Sequence, residues 1–336
     1  MALNSSSLQH LRPGSIYPTF EIIWGSHPLW PTPLLNDALP SAPDRIRILV
    51  LDSSFNPPTL AHLALAKSNR PEGDYDAKLL LLSVRNADKE LKPGDATHVQ
   101  RLEMMMELAE DLRDANAHES NNNVAVAIID EPTFVGKSKL LRALLKEKLR
   151  AMSLMPEVEL TFILGFDTLE RLFDTKYYES SEEKMFKALQ GFFAPPPNPG
   201  SSTTNDESGD GSSIVCARRN PSSYPHPSHP APNSNSSPPS SAEVPVNSHH
   251  QTISTFLTSV ALPSSCVSMI DIGKDVWSIS SSEVRKSVKM ESDPGTKSME
   301  EEEGSQGSEV NKRSRQWSEM VTGRVRRYII DNRLYK

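Results

Sequence analysis

The chain has 336 residues, 37% of them hydrophobic, with 27 prolines against 15 glycines. At roughly 100–200 residues per domain this allows one large domain or two small ones, with part of the length too Pro-rich and polar to pack. The formal charge of −7 is concentrated in residues 291–310, where seven acids face a single lysine; the remainder is nearly neutral, which excludes a broad basic face and with it a nucleic-acid duplex as partner.

No run approaches the ~18 apolar residues of a membrane span, and the opening MALNSSSLQHLRPG lacks the charged and apolar regions of a signal peptide. The expectation is a soluble protein of the cytoplasm or nucleus, without membrane contact, whose two cysteines, Cys216 and Cys266, stay reduced. Residues 1–44 are Pro-containing without a clear period and are predicted to be a partly disordered extension that packs through Ile22, Ile23 and Trp24. Short apolar runs at 46–51, 79–82, 124–129, 158–164 and 266–270 are each strand-sized, and helical patterns at 59–68, 96–113, 137–152 and 168–173 follow the first four. Alternation of this kind predicts a parallel sheet covered by helices on both faces, with ligands at the carboxyl ends of its strands.

Residues 195–250 hold 12 of the 27 prolines. They are predicted to be two disordered loops, 195–212 and 220–250, around a strand at Ser213–Ala217; the acidic stretch is a third loop, 291–312. His226, His229, His249 and His250 lie in the second loop without cysteine or carboxylate partners at ligand spacing, so no metal is assigned to them. The insertions are candidate protein-binding segments, and a homo-oligomer is left open.

Two segments carry chemistry. After the first strand of the alternating series comes Asp52-Ser53-Ser54-Phe55-Asn56-Pro57-Pro58-Thr59-Leu60-Ala61-His62. The prolines delay the helix and Thr59 is its natural cap. The free N–H groups of the helix therefore face the ligand edge, with His62 one turn in. Near the other end, Trp277-Ser278-Ile279-Ser280-Ser281-Ser282-Glu283-Val284-Arg285 places serines at a second helix start. Ser280 or Ser281 can cap, while Ser282 and Arg285 can meet phosphate oxygens. Two such helix ends point to a polyphosphate ligand.

These residues resemble the nucleotidylyltransferase superfamily: Ser53 to His62 is similar to its G-x-F-x-P-x-[HT]-x-G-H signature, and Ile279 to Arg285 to its I-S-x-[ST]-x-x-R signature. The resemblance is to the eukaryotic nicotinamide/nicotinate mononucleotide adenylyltransferases in particular, as a diverged fungal-type member. It runs through Leu82 to Asn86, Lys89, Lys92, Ala96 to Met104, Leu164 to Leu169, Ile214 to Arg218 and a terminal helix at 328–335. It implies a single domain over 45–335 with a Rossmann-like doubly wound parallel sheet of the nucleotidylyltransferase type.

The reaction it implies is transfer of AMP from ATP, bound with Mg²⁺, to nicotinamide or nicotinate mononucleotide. The products are NAD or its deamido form and pyrophosphate. The resemblance casts His62, Thr59 and Arg285 as catalytic, and Ser53, Ser54, Phe55, His62, Ile279, Ser280, Ser282 and Arg285 as ATP-binding. Asn56, Lys89, Phe134, Gly165, Asp167 and Arg218 fall on the acceptor side, with Lys92 as the alternative to Lys89. The chain departs from the pattern at Ser53 and Ala61, where the signature has glycine, at Phe166, and at 130–139, where paired tryptophans are absent and Phe134 is the one aromatic. A nucleotide-binding regulator with weak ATP hydrolysis, or a transferase acting on a cytidylyl or phosphopantetheine-type substrate, is the alternative reading.

Overall fold

The computed structural model describes residues 19–33, 43–69, 73–84, 93–115, 122–195, 209–217, 258, 266–292 and 316–336. The strands are β1 (Phe20–Gly25), β2 (Arg45–Ser53), β3 (Ala77–Ser83), β4 (Val124–Ile129), β5 (Glu157–Gly165), β6 (Ser213–Ala217) and β7 (Val267–Ile270). The helices, in chain order, are α1 (Leu60–Lys67), α2 (His98–Ala115), α3 (Phe134–Ala151), α4 (Phe166–Leu172), α5 (Glu182–Phe193), α6 (Ser281–Ser292) and α7 (Gly323–Asp331).

One seven-stranded sheet runs in the order β1-β4-β3-β2-β5-β6-β7. Every pairing is parallel except that of the edge strand β1 with β4. With β1 set aside, the remaining six follow the 3-2-1-4-5-6 order of a Rossmann-like doubly wound sheet. Alternation along the strands sends side chains to both faces. Ile46, Ile48 and Val50 of β2 pack with Leu141, Leu145 and Leu149 of α3 and with α4 and α5. Leu49 and Leu51 pack on the other face with α1 and α2. Because both faces are covered, β3 and β4 are buried almost throughout, which is why they read as unbroken apolar runs.

A third apolar cluster joins α6, α7, Trp317, Met320 and Tyr335 to Met104 of α2. Polar contacts tie α7 to α2: Arg324 bonds Asp111 at 2.6 Å and Asp114 at 2.7 Å, and Tyr328 bonds Glu103.

Several boundaries differ from the expectations. The extension 1–44 supplies β1, and Asn123 fastens the segment after it by donating to the carbonyls of Pro31 (2.8 Å) and Asp76 (2.9 Å). The loop expected to reach residue 212 ends earlier, because Asp210, Gly211 and Ser212 donate backbone N–H groups to the end of α5 and the residue after it. The acidic loop does not begin at 291: Glu291 and Ser292 close α6, and Glu291 accepts the Trp317 indole N–H at 2.5 Å. The terminal helix starts at Gly323 and stops at Asp331, before Tyr335. The rest of the three expected loops lies outside the described residues, as do His226, His229, His249 and His250. Cys216 is buried and Cys266 half-buried, and both are free thiols.

Candidate active site at the carboxyl edge of the sheet

The sheet reverses its strand order at β2, and the segment Ser53 to Thr59 leaves β2 at its carboxyl end. That is where open α/β sheets bind ligands. Thr59 caps α1, and its main-chain N–H donates to His62 Nδ1 at 3.1 Å; the Thr59 hydroxyl lies 2.9 Å from the same nitrogen. A nitrogen that accepts from a main-chain N–H carries no proton, so the ring hydrogen of neutral His62 sits on Nε2. Nε2 is 3.0 Å from Ser53 Oγ and donates to it. Burial pushes the His62 pKa down to about 4, so the imidazole is neutral at physiological pH. Its ring lies 5.0 Å from that of Phe55, centroid to centroid.

The second helix end arrives at the same loop. Ser281 Oγ donates to the Pro57 carbonyl at 2.7 Å, and Arg285 Nη1 donates to the Asn56 carbonyl at 2.5 Å. Ser280, not Ser281, caps α6, accepting from the Glu283 N–H at 3.1 Å. Arg285 Nη2 reaches Ser282 Oγ at 3.3 Å, and Ser282 is exposed. The amino ends of α1 and α6 therefore share one edge, with an imidazole, four serine hydroxyls and a guanidinium about them. Such an arrangement favours a polyanion.

The structure thus brings together His62, Thr59, Ser53, Asn56, Ser280, Ser282 and Arg285, with Ser54 in the same loop. Not all play the part expected. Thr59, expected to cap the helix and to act beside His62 as a catalytic residue, does cap it but is fully buried with its hydroxyl on His62; it positions the ring. The side chains of Phe55 and Ile279 belong to the core, leaving only their main chain for a ligand. Phe55 sits in the left-handed region at φ 43, with its ring fully buried. Asn56, expected on the acceptor side, is 4% exposed. Its amide donates to Asp95 at 2.8 Å, and its Oδ1 accepts from the Tyr335 hydroxyl at 2.9 Å and the Ala96 N–H at 3.3 Å.

Gly165 ends β5 and caps α4, which begins at once with the buried Phe166. Phe134 opens α3, edge-on to Phe162 at 5.7 Å, with Lys137 Nζ 5.0 Å from its ring centroid. Lys89, Lys92 and Arg218, and the side chain of Asp167, lie outside what is described.

Sequence reasoning missed a polar layer beneath the loop. Asp95 lies 3.5 Å from Arg285 Nε and 3.7 Å from Arg101 Nη2, and so stands between two guanidiniums. Arg101 also donates to the carbonyls of Ala96 (2.9 Å) and Ser54 (3.4 Å), and burial lowers its pKa. Asp52, at the end of β2, pairs with Lys137 at 2.5 Å and accepts from Ser83 Oγ at 2.8 Å, both charged side chains being nearly buried. Arg101 and Tyr335 fall within the stretches that carry the resemblance, and Asp52 lies immediately before one; for Asp95 and Lys137 no local pattern marks the role. Among the described residues no group of three or more His, Cys, Asp or Glu side chains is arranged to hold a metal ion, and no helix is long and apolar enough to cross a membrane.

Fold and site together define a Rossmann-like α/β protein with two helix amino ends at one ligand edge. No protein-family model matches the chain. Over 147 residues, 44% of this chain and 49% of the relative, it is 39% identical to a putative nicotinamide mononucleotide adenylyltransferase of Schizosaccharomyces pombe. The match spans about half the length of that relative. Among solved structures it is similar to Plasmodium falciparum nicotinic acid mononucleotide adenylyltransferase complexed with APC (TM-score 0.41, 15% identity) and with NaAD (TM-score 0.43, 16% identity). Each of these alignments covers 86% of this chain and 97% of the other.

Proposed function

We propose that the protein is an adenylyltransferase that joins AMP from ATP to nicotinamide or nicotinate mononucleotide, releasing pyrophosphate and forming NAD or deamido-NAD. The observation that carries this reading is the meeting of α1 and α6 at one loop, through Arg285 to Asn56 (2.5 Å) and Ser281 to Pro57 (2.7 Å). The 39% identity to the fission-yeast relative supports the choice of substrates.

In this reading an oxygen of the mononucleotide phosphate attacks the α-phosphorus of ATP in line, and the bond from that phosphorus to the oxygen bridging to the β-phosphate breaks. The protein makes no covalent bond; it positions the reactants and stabilises charge. Arg285, Ser282 and the α6 N–H groups hold the β- and γ-phosphates that leave. The donors at the α1 end face the α-phosphate. Mg²⁺ would enter with the nucleotide and would neutralise charge on the phosphates that leave. Lys89, Arg218 and Asp167 are assigned to the acceptor by position in the sequence, and Phe134 is assigned to its pyridine ring.

The test is to incubate the purified protein with MgATP and each mononucleotide, following pyrophosphate and dinucleotide. Formation of NAD or deamido-NAD is the expected result. ATP hydrolysed without dinucleotide would replace this reading with the nucleotide-binding regulator. Product formed only from CTP or another phosphate acceptor would keep the mechanism and reject the substrate.

A further inference from the structure

The contact between Ser53 and His62 invites comparison with a hydrolytic serine–histidine pair, but its polarity is opposite. In a nucleophilic serine the imidazole Nε2 accepts the hydroxyl proton. Here Nδ1 accepts from the Thr59 main-chain N–H at 3.1 Å, so the single ring hydrogen is on Nε2 and is donated to Ser53 Oγ at 3.0 Å. His62 therefore cannot act as base toward Ser53. The serine is a hydrogen-bond acceptor toward the ring and keeps its own O–H as a donor, with no second partner among the described residues.

Ser53 is the last residue of β2, at the edge where the two helix ends meet, and it is only partly buried. The donor chain thus runs from Thr59 N–H through the imidazole to the serine hydroxyl, and the last donor in it is Ser53. Each link polarises the next, so a hydroxyl that already accepts from an N–H becomes a stronger donor. We propose that Ser53, rather than the imidazole of His62, is the group that donates to the phosphate being transferred, with His62 as the positioning residue behind it. No proton changes owner; the chain stabilises charge on a phosphate oxygen. This inference rests on the adenylyl-transfer reading for the phosphate's identity, while the direction of the donor chain stands apart from it.

The experiment compares Ser53→Ala, Ser53→Thr, His62→Ala and the Ser53→Ala/His62→Ala double variant of the full chain, with MgATP and nicotinamide mononucleotide. Nitrogen-15 spectra of the His62 imidazole are recorded in parallel. Removing one donor to a charged transition state typically lowers kcat by about 10²-fold, the change expected for Ser53→Ala at little change in the ATP KM. Ser53→Thr keeps the hydroxyl and is expected to retain most of kcat. The double variant is expected to be no slower than the slower single one, because both members act through one contact.

A Ser53→Ala kcat within about twofold of the parent, a threonine variant as slow as the alanine one, or losses that multiply in the double variant would each overturn the proposal. If the parent makes no dinucleotide, the adenylyl-transfer reading fails first and the spectra decide the donor chain. A proton on Nδ1 overturns it; a proton on Nε2 whose resonance moves in Ser53→Ala upholds it.

Discussion

Tyr335 donates its hydroxyl to Asn56 Oδ1 at 2.9 Å, so a residue next to the end of the chain is tied to the loop that leaves the first parallel strand. The same Asn56 offers its carbonyl to Arg285 and its amide to Asp95. One buried residue, through its main-chain carbonyl to Arg285 and its side chain to Asp95 and Tyr335, therefore links the loop before α1 to α6 and to the segment after α7. Burial of Tyr335 raises its pKa, so the phenol remains a donor at any working pH.

Tyr335→Phe keeps the ring in its apolar cluster and removes one hydrogen bond, leaving Asn56 Oδ1 with the Ala96 N–H. A loss of about 0.5–1.5 kcal/mol in unfolding free energy is expected, measured by denaturant titration. An unchanged midpoint would show that the hydroxyl is equally well served by water.

Arg285→Ala removes a guanidinium from the amino end of α6. A charge-assisted hydrogen bond contributes about 1.5–3 kcal/mol, so nucleotide affinity measured by calorimetry should fall by about 10–100-fold. Equal affinity in parent and variant would make Arg285 a strut for the Asn56 loop and nothing more.

For His62 the pH dependence has a definite sign. Burial holds its folded pKa at about 4 against 6.5, so between those values the unfolded chain binds more protons. Stability is then fully present above pH 6.5 and is lost as the pH falls toward 4. Burial also lowers the pKa of His27 and His98, which add to the same trend. The drop in melting temperature between pH 7 and pH 5 should be smaller in His62→Gln than in the parent. Equal drops would assign the whole effect to other groups.

The sheet was legible because parallel strands buried on both faces must read as short apolar runs, and 124–129 is recovered to the residue. Edge strand β1 was not: its residues are all only half-buried, so the run FEIIWG carries weaker patterning. Helix α5 was also missed, although Ser181 caps it by accepting from the Lys184 N–H. At the site, the residues at helix starts were visible from capping chemistry. Asp95, Lys137 and Tyr335 were not, because their partners lie tens to hundreds of positions away: Asn56 and Tyr335 are separated by 279 residues. Thr59 was legible as the helix cap beside His62, whereas Asn56, expected on the acceptor side, turns its side chain to Asp95, Ala96 and Tyr335. A short polar side chain at a helix start can face either the ligand or the loop beneath it.

The pair Asp52–Lys137 provides the last test. It lies at the carboxyl end of β2, with the lysine on the first turn of α3 and the two side chains 4% (lysine) and 7% (aspartate) exposed. Ser83 satisfies the second carboxylate oxygen, and the ring of Phe134 lies 5.0 Å from the ammonium. A buried charge without its partner is costly, because the low dielectric that strengthens the pair also penalises each member alone. Lys137→Met should therefore destabilise the protein by about 3–5 kcal/mol, while the Asp52→Leu/Lys137→Met double variant, which removes both charges, should lie closer to the parent. Denaturant midpoints of parent, single and double variants measure the coupling. A double variant that loses the sum of two single losses would mean that the two side chains act independently, each held by its other neighbours, Ser83 for the carboxylate and Phe134 for the ammonium.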